Sequence, residues 1–235
     1  MTFPMKKKPR GMRPIYSSAS KGTQAYVQIK HAILHAQFRP GAVLSIRVLA
    51  ASLGTSTMPV REAVTRLVTE KALEPLPNRG VRVPILTDDE ARDVLRARFV
   101  LEGLAVELAA ARVTAVEIAR LEKCERAVEE ALERGRVHQA VKANIEFHLM
   151  LYRTAGSETL VDLIEALYLR YAPKVYTNME LLPAGRALRV RFVHDHHSAI
   201  IAALRKHKPK EARRALEKDL KDAWKLERFA ISGLG

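Results

Sequence analysis

Apolar residues recur at helical spacing twice early in the chain, and then almost without a break from residue 87 to the end. After Gln24, the spacing of Tyr26, Ile29, Ile33 and Leu34 puts them on one side of a helix ending near Gln37. Pro40-Gly41 forces a turn, and Ser45 is placed to cap a short helix, Ile46 to Leu53, that Gly54 stops. A further helix, about Met58 to Lys71, takes Ser56 or Thr57 as N-cap and tolerates Pro59 in its first turn. Val60, Val64, Leu67 and Val68 share one face of it, while Arg61, Thr65 and Arg66 lie largely elsewhere. The helical period then breaks. Leu76, Val81 and Val83 flank Pro77-Asn78-Arg79-Gly80, a pattern that predicts a β-hairpin with its tip at the Pro-Asn-Arg-Gly step.

Thr87 with Glu90 three residues later is a capping box, opening a helix to about Arg112. Further helices fit roughly 114–135, 137–154, 157–180, 186–206 and 209–230. Pro209 suits a helix start, and Pro173 should kink or interrupt its helix. Residues 1–20 lack a hydrophobic period and contain Lys6 to Lys8, three prolines and a Ser-rich run, which predicts a flexible basic arm. The expected organisation is an arm (1–20), a mixed module (21–85) and an all-helical module (86–235), with the boundary at Pro84 to Asp88.

Composition sharpens this picture. At 48% apolar and 28% charged residues, the 235-residue chain supports packed cores rather than disorder. The single cysteine, Cys124, allows no internal disulfide and excludes multi-cysteine zinc modules. The longest stretch free of Asp, Glu, Lys and Arg is Val48 to Val60, 13 residues and too short to span a bilayer. No apolar segment follows the basic N-terminus as a secretion signal would require, so an intracellular, soluble chain without membrane contact is expected.

Charge is distributed unevenly. The net formal charge is +14, of which residues 1–85 carry +11 (14 Lys/Arg against Glu62, Glu70 and Glu74) and residues 86–235 only +3. Positive charge concentrated in one module favours a polyanion, because each neutralised phosphate releases condensed counterions. A helix, a short helix, a turn, a helix and a two-stranded hairpin make a winged helix-turn-helix, which sends polar side chains from the N-terminal half of its second helix into the major groove. That set is Ser56, Thr57, Met58 and Arg61, with Arg61 suited to a bidentate guanine contact. Thr57 serves equally as a cap. Arg47 on the bracing helix, Arg66, and Arg79, Gly80 and Arg82 of the wing are candidates for phosphate contact.

The run from Arg39 to Val83 resembles the N-terminal domain of the GntR family of bacterial transcription regulators. The elements Pro40-Gly41, Leu49-Ala50 with Leu53-Gly54, Pro59-Val60-Arg61-Glu62-Ala63 and Arg79-Gly80 stand at that family's spacing. Two positions depart from it: Thr57 stands where the family often has Arg, and Lys71 where a helix-ending Gly is usual.

The helical module offers two constellations. Arg98 and Glu102, at i and i+4, form either a helix-stabilising ion pair or an arginine held to grip a ligand carboxylate. Asn144 and His148, also i and i+4, together with His197 and Asp219 provide two imidazoles, a carboxylate and an amide oxygen, enough for a divalent ion with open positions. His194 is placed to supplement that set and His196 to face elsewhere. Residues 88–230 resemble the FCD effector domain of the FadR subgroup, through Arg98-Phe99-Val100-Leu101-Glu102, Phe147-His148 and His197-Ser198-Ala199-Ile200. That resemblance implies a metal held by Asp, His, His and His with a small carboxylic acid docked on it. Those positions fall on Asn144, His148, His197 and Asp219, so the carboxylate has changed sides; Ser157 replaces an Asn common after the Phe-His helix.

The combined expectation is a mainly α protein, a winged helix-turn-helix followed by an FCD-like bundle. It would be a cytoplasmic, nucleoid-associated homodimeric regulator, acting as a repressor on a palindromic operator under control of a small carboxylate and a Zn-, Ni- or Mn-type ion. Two alternatives stand beside it. One is a metal-dependent enzyme using a His148, His197 and Asp219 triad; the other is a nonspecific nucleic-acid binder.

Overall fold

The structure, a computed structural model, describes residues 20–77, 80–180 and 186–232. The basic arm before Ser20 and the predicted wing tip at Asn78 and Arg79 lie outside the described residues. The N-terminal module runs α1 (Lys21–Leu34), β1 (Val43–Ser45), α2 (Ile46–Ser52), α3 (Thr57–Thr69), β2 (Glu74–Pro75) and β3 (Gly80–Arg82). Helix α1 starts earlier than its apolar period suggests, because the Ser20 hydroxyl accepts from the Thr23 amide and caps it. Ser45 and Ser56 occupy N-cap positions on α2 and α3 but make no capping bond with their side chains. Lys71 takes the left-handed conformation (φ 59°) where a glycine would be unstrained, and Gly54 (φ 60°) ends the short turn before α3.

The wing is a three-stranded sheet in the order β1-β3-β2, not a lone hairpin. Val43–Ser45 pairs antiparallel with Gly80–Arg82, with Ser45 opposite Gly80. A Cβ on Gly80 would stand 3.4 Å from the Leu44 carbonyl oxygen, an ordinary contact with the neighbouring strand. Val60, Ala63, Val64 and Leu67 of α3 are buried, as are Tyr26, Ile29 and Ile33 of α1, and the two helices pack together.

The remaining described elements are α4 (Asp88–Arg112), α5 (Ala115–Glu133), α6 (Val137–Arg153), α7 (Glu158–Glu180), α8 (Arg186–Arg205) and α9 (Pro209–Ser232). Thr87 and Thr114 both close capping boxes, on Glu90 and Glu117. Ser157 also works as a cap, accepting from the Leu160 amide at 3.4 Å. Pro173 does not interrupt α7, which is helical on both sides of it. The six helices close into a ring through the contacts α4–α9, α9–α8, α8–α5, α5–α6, α6–α7 and α7–α4. A ring of amphipathic helices has an interior, and here that interior is partly polar.

Candidate functional site

The DNA-facing candidates sit on the surface of the N-terminal module. Thr57, Met58 and Arg61 project from the first turns of α3 and are exposed, Met58 at 65%, beside the exposed Ser56. An apolar side chain that open to water at the start of a helix is available to a base edge or methyl group. Arg47 is exposed on α2. Two other candidates are partly committed within the protein. Arg66 lies over the Tyr26 ring, 3.7 Å from guanidinium carbon to centroid, while the Tyr26 hydroxyl donates to both Glu70 oxygens at 2.8 and 3.0 Å. Burial and Glu70 push the Tyr26 pKa up to about 12. Arg82 bonds Glu74 across the sheet, with Nη2 to Oε2 at 2.6 Å.

The interior of the helical ring holds a cavity lined from five helices. Arg98 comes from α4, Asn144 and His148 from α6, Tyr168, Tyr171 and Asn178 from α7, Phe192 from α8 and Asp219 from α9. Its free space is about 60 Å³, room for a few waters or a compact acid. Arg98, 4% exposed, binds Glu102, 0% exposed, in a two-point fork: Nε to Oε1 at 2.5 Å and Nη2 to Oε2 at 3.2 Å. Its Nη2 also donates to the Tyr168 hydroxyl at 3.0 Å, and its guanidinium lies against the Tyr168 and Tyr171 rings, 4.7 and 4.5 Å from their centroids. Burial works against the charge on Arg98, but Glu102 and the tyrosine hydroxyls hold it firmly cationic.

The network continues to His148 and fixes its tautomer. Tyr152 gives its one proton to Glu102 Oε2 at 2.6 Å, so its oxygen can only accept from His148 Nδ1, 3.3 Å away. The proton therefore resides on Nδ1, and the bare Nε2 faces Asp219 Oδ2 at 3.4 Å. Burial, with His197 and Arg98 nearby, holds the His148 pKa well below the usual histidine range, and burial raises Asp219 to about 6. Two acceptors thus face each other in a place from which water is largely excluded, an arrangement that a cation or a proton would relieve.

His197 is 0% exposed and neither ring nitrogen has a hydrogen-bond partner. It stacks on Phe147, centroids 3.9 Å apart, and stands edge-on to His148 at 5.3 Å; burial drops its pKa to about 3. Orphaned buried nitrogens of this kind are rare in a settled core. His197 is not among the residues lining the cavity, so three of the four expected donors share its wall and the fourth sits behind them. His194 does not supplement the set: it pairs with Glu125 and Glu129 of α5. His196 does face elsewhere, bonding Asp222 at 3.1 Å.

The comparisons with known proteins follow this division. The family model for the FCD domain matches residues 93–222, and that for bacterial regulatory proteins of the gntR family matches residues 21–83. The chain belongs to the GntR family and carries an FCD domain. It is 33% identical over 183 residues to the HTH-type transcriptional regulator McbR of Escherichia coli (strain K12), covering 78% of this chain and 81% of that one. It is 28% identical to the HTH-type transcriptional repressor GlaR of the same organism, covering 61% and 67%. The solved structure of E. coli McbR/YncC superposes with a TM-score of 0.78 at 28% identity, over 91% of this chain and 97% of that chain.

This GntR protein is therefore a transcriptional regulator. Its relatives are DNA-binding regulators rather than enzymes, which sets aside the metalloenzyme reading of His148, His197 and Asp219. No described helix is long and apolar enough to cross a membrane. The sequence did not single out Tyr152, Tyr168, Tyr171 or Asn178. Tyr152 and Tyr168 enter the site through hydroxyls that bond Glu102 and Arg98, and Tyr171 through its ring against the Arg98 guanidinium, contacts that exist only once the helices have packed.

Proposed function

We propose that this regulator is a homodimeric repressor whose grip on a palindromic operator is controlled by a small carboxylate bound in the FCD cavity. In this reading residues 21–85 read DNA, residues 86–235 sense and dimerise, and the arm at 1–20 adds phosphate contacts on the cytoplasmic nucleoid. The observation that carries it is the buried chain Arg98–Glu102–Tyr152–His148, ending at the His148–Asp219 pair on the cavity wall. Burying a charged pair in a helical core gains little stability over well-packed apolar residues, so its presence beside a cavity favours a ligand role. Nε and Nη2 of Arg98 are committed to Glu102 and Tyr168, leaving Nη1 as the edge of the fork that meets an incoming carboxylate.

The donor chemistry suits a Zn-, Ni- or Mn-type ion. His148 through its bare Nε2, Asp219, Asn144 and the orphaned His197 would hold it. When bound, such an ion supplies a Lewis-acidic seat for a carboxylate. Asn144 gives a neutral oxygen where a carboxylate would bind harder, so the ion should be held more loosely than by a full Asp-His-His-His set.

On the DNA side, the exposed Arg61 with Thr57, Met58, Ser56 and Arg47 supports readout of a half-site, and Arg66, Arg79, Gly80 and Arg82 support the backbone contacts. Selecting bound sequences from random DNA at physiological salt should return a palindrome. Arg61→Ala should cost about 1–3 kcal/mol of discrimination at one base pair of each half-site. Equal competition by random DNA would instead favour the nonspecific binder. Titrating small mono- and dicarboxylates against operator affinity tests the cavity: an acid should weaken binding in the parent and not in Arg98→Lys. If no acid changes affinity, the carboxylate reading fails.

A further inference from the structure

Helix α1 ends on two imidazoles that face the helical ring rather than the DNA-reading helix. His31 stands in its last turn and His35 caps it; their rings stack with centroids 3.9 Å apart and planes at 27°. His35 is 4% exposed, and its Nδ1 lies 2.8 Å from the carbonyl oxygen of His31. A carbonyl can only accept, so Nδ1 carries the proton and donates it there. The other nitrogen, Nε2, lies 2.8 Å from Oε1 of Glu146 on α6. With the ring neutral, a lone pair faces a carboxylate in a half-buried place, the same arrangement found at His148 and Asp219. His31 brings a third donor, and ligand atoms of His31, His35 and Glu146 all lie within 4.8 Å of one another.

We propose that His31, His35 and Glu146 form a site for a divalent transition ion of the Zn²⁺ or Ni²⁺ type, clamping the DNA-reading module to helix α6. Two ligands each ~2.1 Å from one ion, at angles from square to tetrahedral, stand ~3.0–3.4 Å apart. The His35–Glu146 separation is close to that bite, and His31 needs only a side-chain adjustment to join them. Two imidazoles with one carboxylate favour a borderline transition metal over Mg²⁺ or Ca²⁺, which prefer all-oxygen shells. His31 is exposed, so the cluster is open to solvent on that side, and Lys142 is exposed too, so solvent screens its charge.

The position gives the site a consequence. Glu146 lies on α6 between Asn144 and His148, two residues of the cavity wall. The two modules also meet through polar contacts of Arg39, to the Tyr176 hydroxyl at 3.2 Å and to Glu180 at 3.2 Å. An ion held by both modules binds only when they are docked in this way, and so stabilises that arrangement by mass action.

Counting Zn²⁺ bound to the full chain by equilibrium dialysis tests the site. His31→Gln and Glu146→Gln should each bind one equivalent fewer than the parent, and each should remove one equivalent again when made in an Asp219→Asn background, where the cavity site is already altered. His31 is exposed and Glu146 is half-buried, so both variants should melt as the parent does without metal. In the parent, Zn²⁺ should shift the ring ¹⁵N resonances of both His31 and His35. Equal stoichiometry in parent and variants, a drop in only one of the two, or ring resonances indifferent to Zn²⁺ would each overturn the site and leave a plain imidazole–carboxylate contact.

Discussion

Glu102 shows what a single residue decides in this molecule. Its carboxylate takes two bonds from Arg98 and one from Tyr152, all shielded from water. Glu102→Ala takes away the carboxylate to which the buried Arg98 guanidinium is hydrogen-bonded. We expect a loss of about 3–5 kcal/mol in denaturant unfolding, more than Arg98→Met and Glu102→Leu made together. Denaturant curves of the parent, Glu102→Ala and the double variant, compared side by side, check this. Asp222 has the opposite character, being near the surface. Burial alone would raise its pKa, but hydrogen bonds from Lys218, His196 and Lys225 hold it well below the usual carboxylate value of 3.8. A carboxylate with a depressed folded pKa stabilises above its unfolded value, and that contribution fades as pH falls through the folded one. Unfolding midpoints of the parent should therefore drop steadily below about pH 4, and those of Asp222→Asn should drop less. An identical acid limb in both would show that the clamp adds nothing.

At the scale of an element, α4 carries two roles on two faces. One face buries Ala91, Val94, Arg98, Glu102, Ala105 and Ala109. The other leaves Val100, Leu104 and Leu108, each four residues from the last, 63, 44 and 38% exposed. An apolar row of that kind on a long helix is suited to a second copy of the same row across a two-fold axis. If the chain pairs through this row, as proposed, Leu104→Glu with Leu108→Glu should give a monomer in sedimentation while leaving far-ultraviolet circular dichroism unchanged. A parent that already sediments as a monomer would remove α4 as the interface. Elements also show how far local sequence reaches. The ends of α4 and α5 are legible because Thr87-Glu90 and Thr114-Glu117 close on themselves within three residues. Strand β1 is not legible: three residues acquire extended partners only when Gly80–Arg82 arrives from far along the chain. The proline in α7 misleads for a related reason. A bundle that packs both halves of the helix compensates the hydrogen bond that Pro173 removes.

At the scale of the whole molecule, charge and architecture are divided between the two ends. The +11 on residues 1–85 makes a footprint for a polyanion, and five of those charges (Lys6, Lys7, Lys8, Arg10 and Arg13) precede the first described helix. Deleting residues 1–19 should lower affinity for random and operator DNA alike. It should also flatten the logarithmic salt dependence by about 0.9 for each phosphate no longer neutralised, measured by anisotropy from low to physiological salt. A truncated chain with the parent's salt slope would show that the arm does not touch DNA.

By itself the sequence determined what is local or periodic: the helical segments and the Thr87 capping box, the basic surplus at one end, and the residue types that mark a GntR reader followed by an FCD domain. Those follow from interactions within a few positions and from counts that survive any folding. Only the tertiary structure decided which side chains meet. It sent His148 Nε2 toward Asp219 through Tyr152, left His197 without a partner, turned His194 away to α5, and brought His31 and His35 against Glu146. Such meetings join residues up to more than a hundred positions apart. Their chemistry depends on burial and on which lone pair a shared proton leaves bare, and neither quantity exists until the helices have packed.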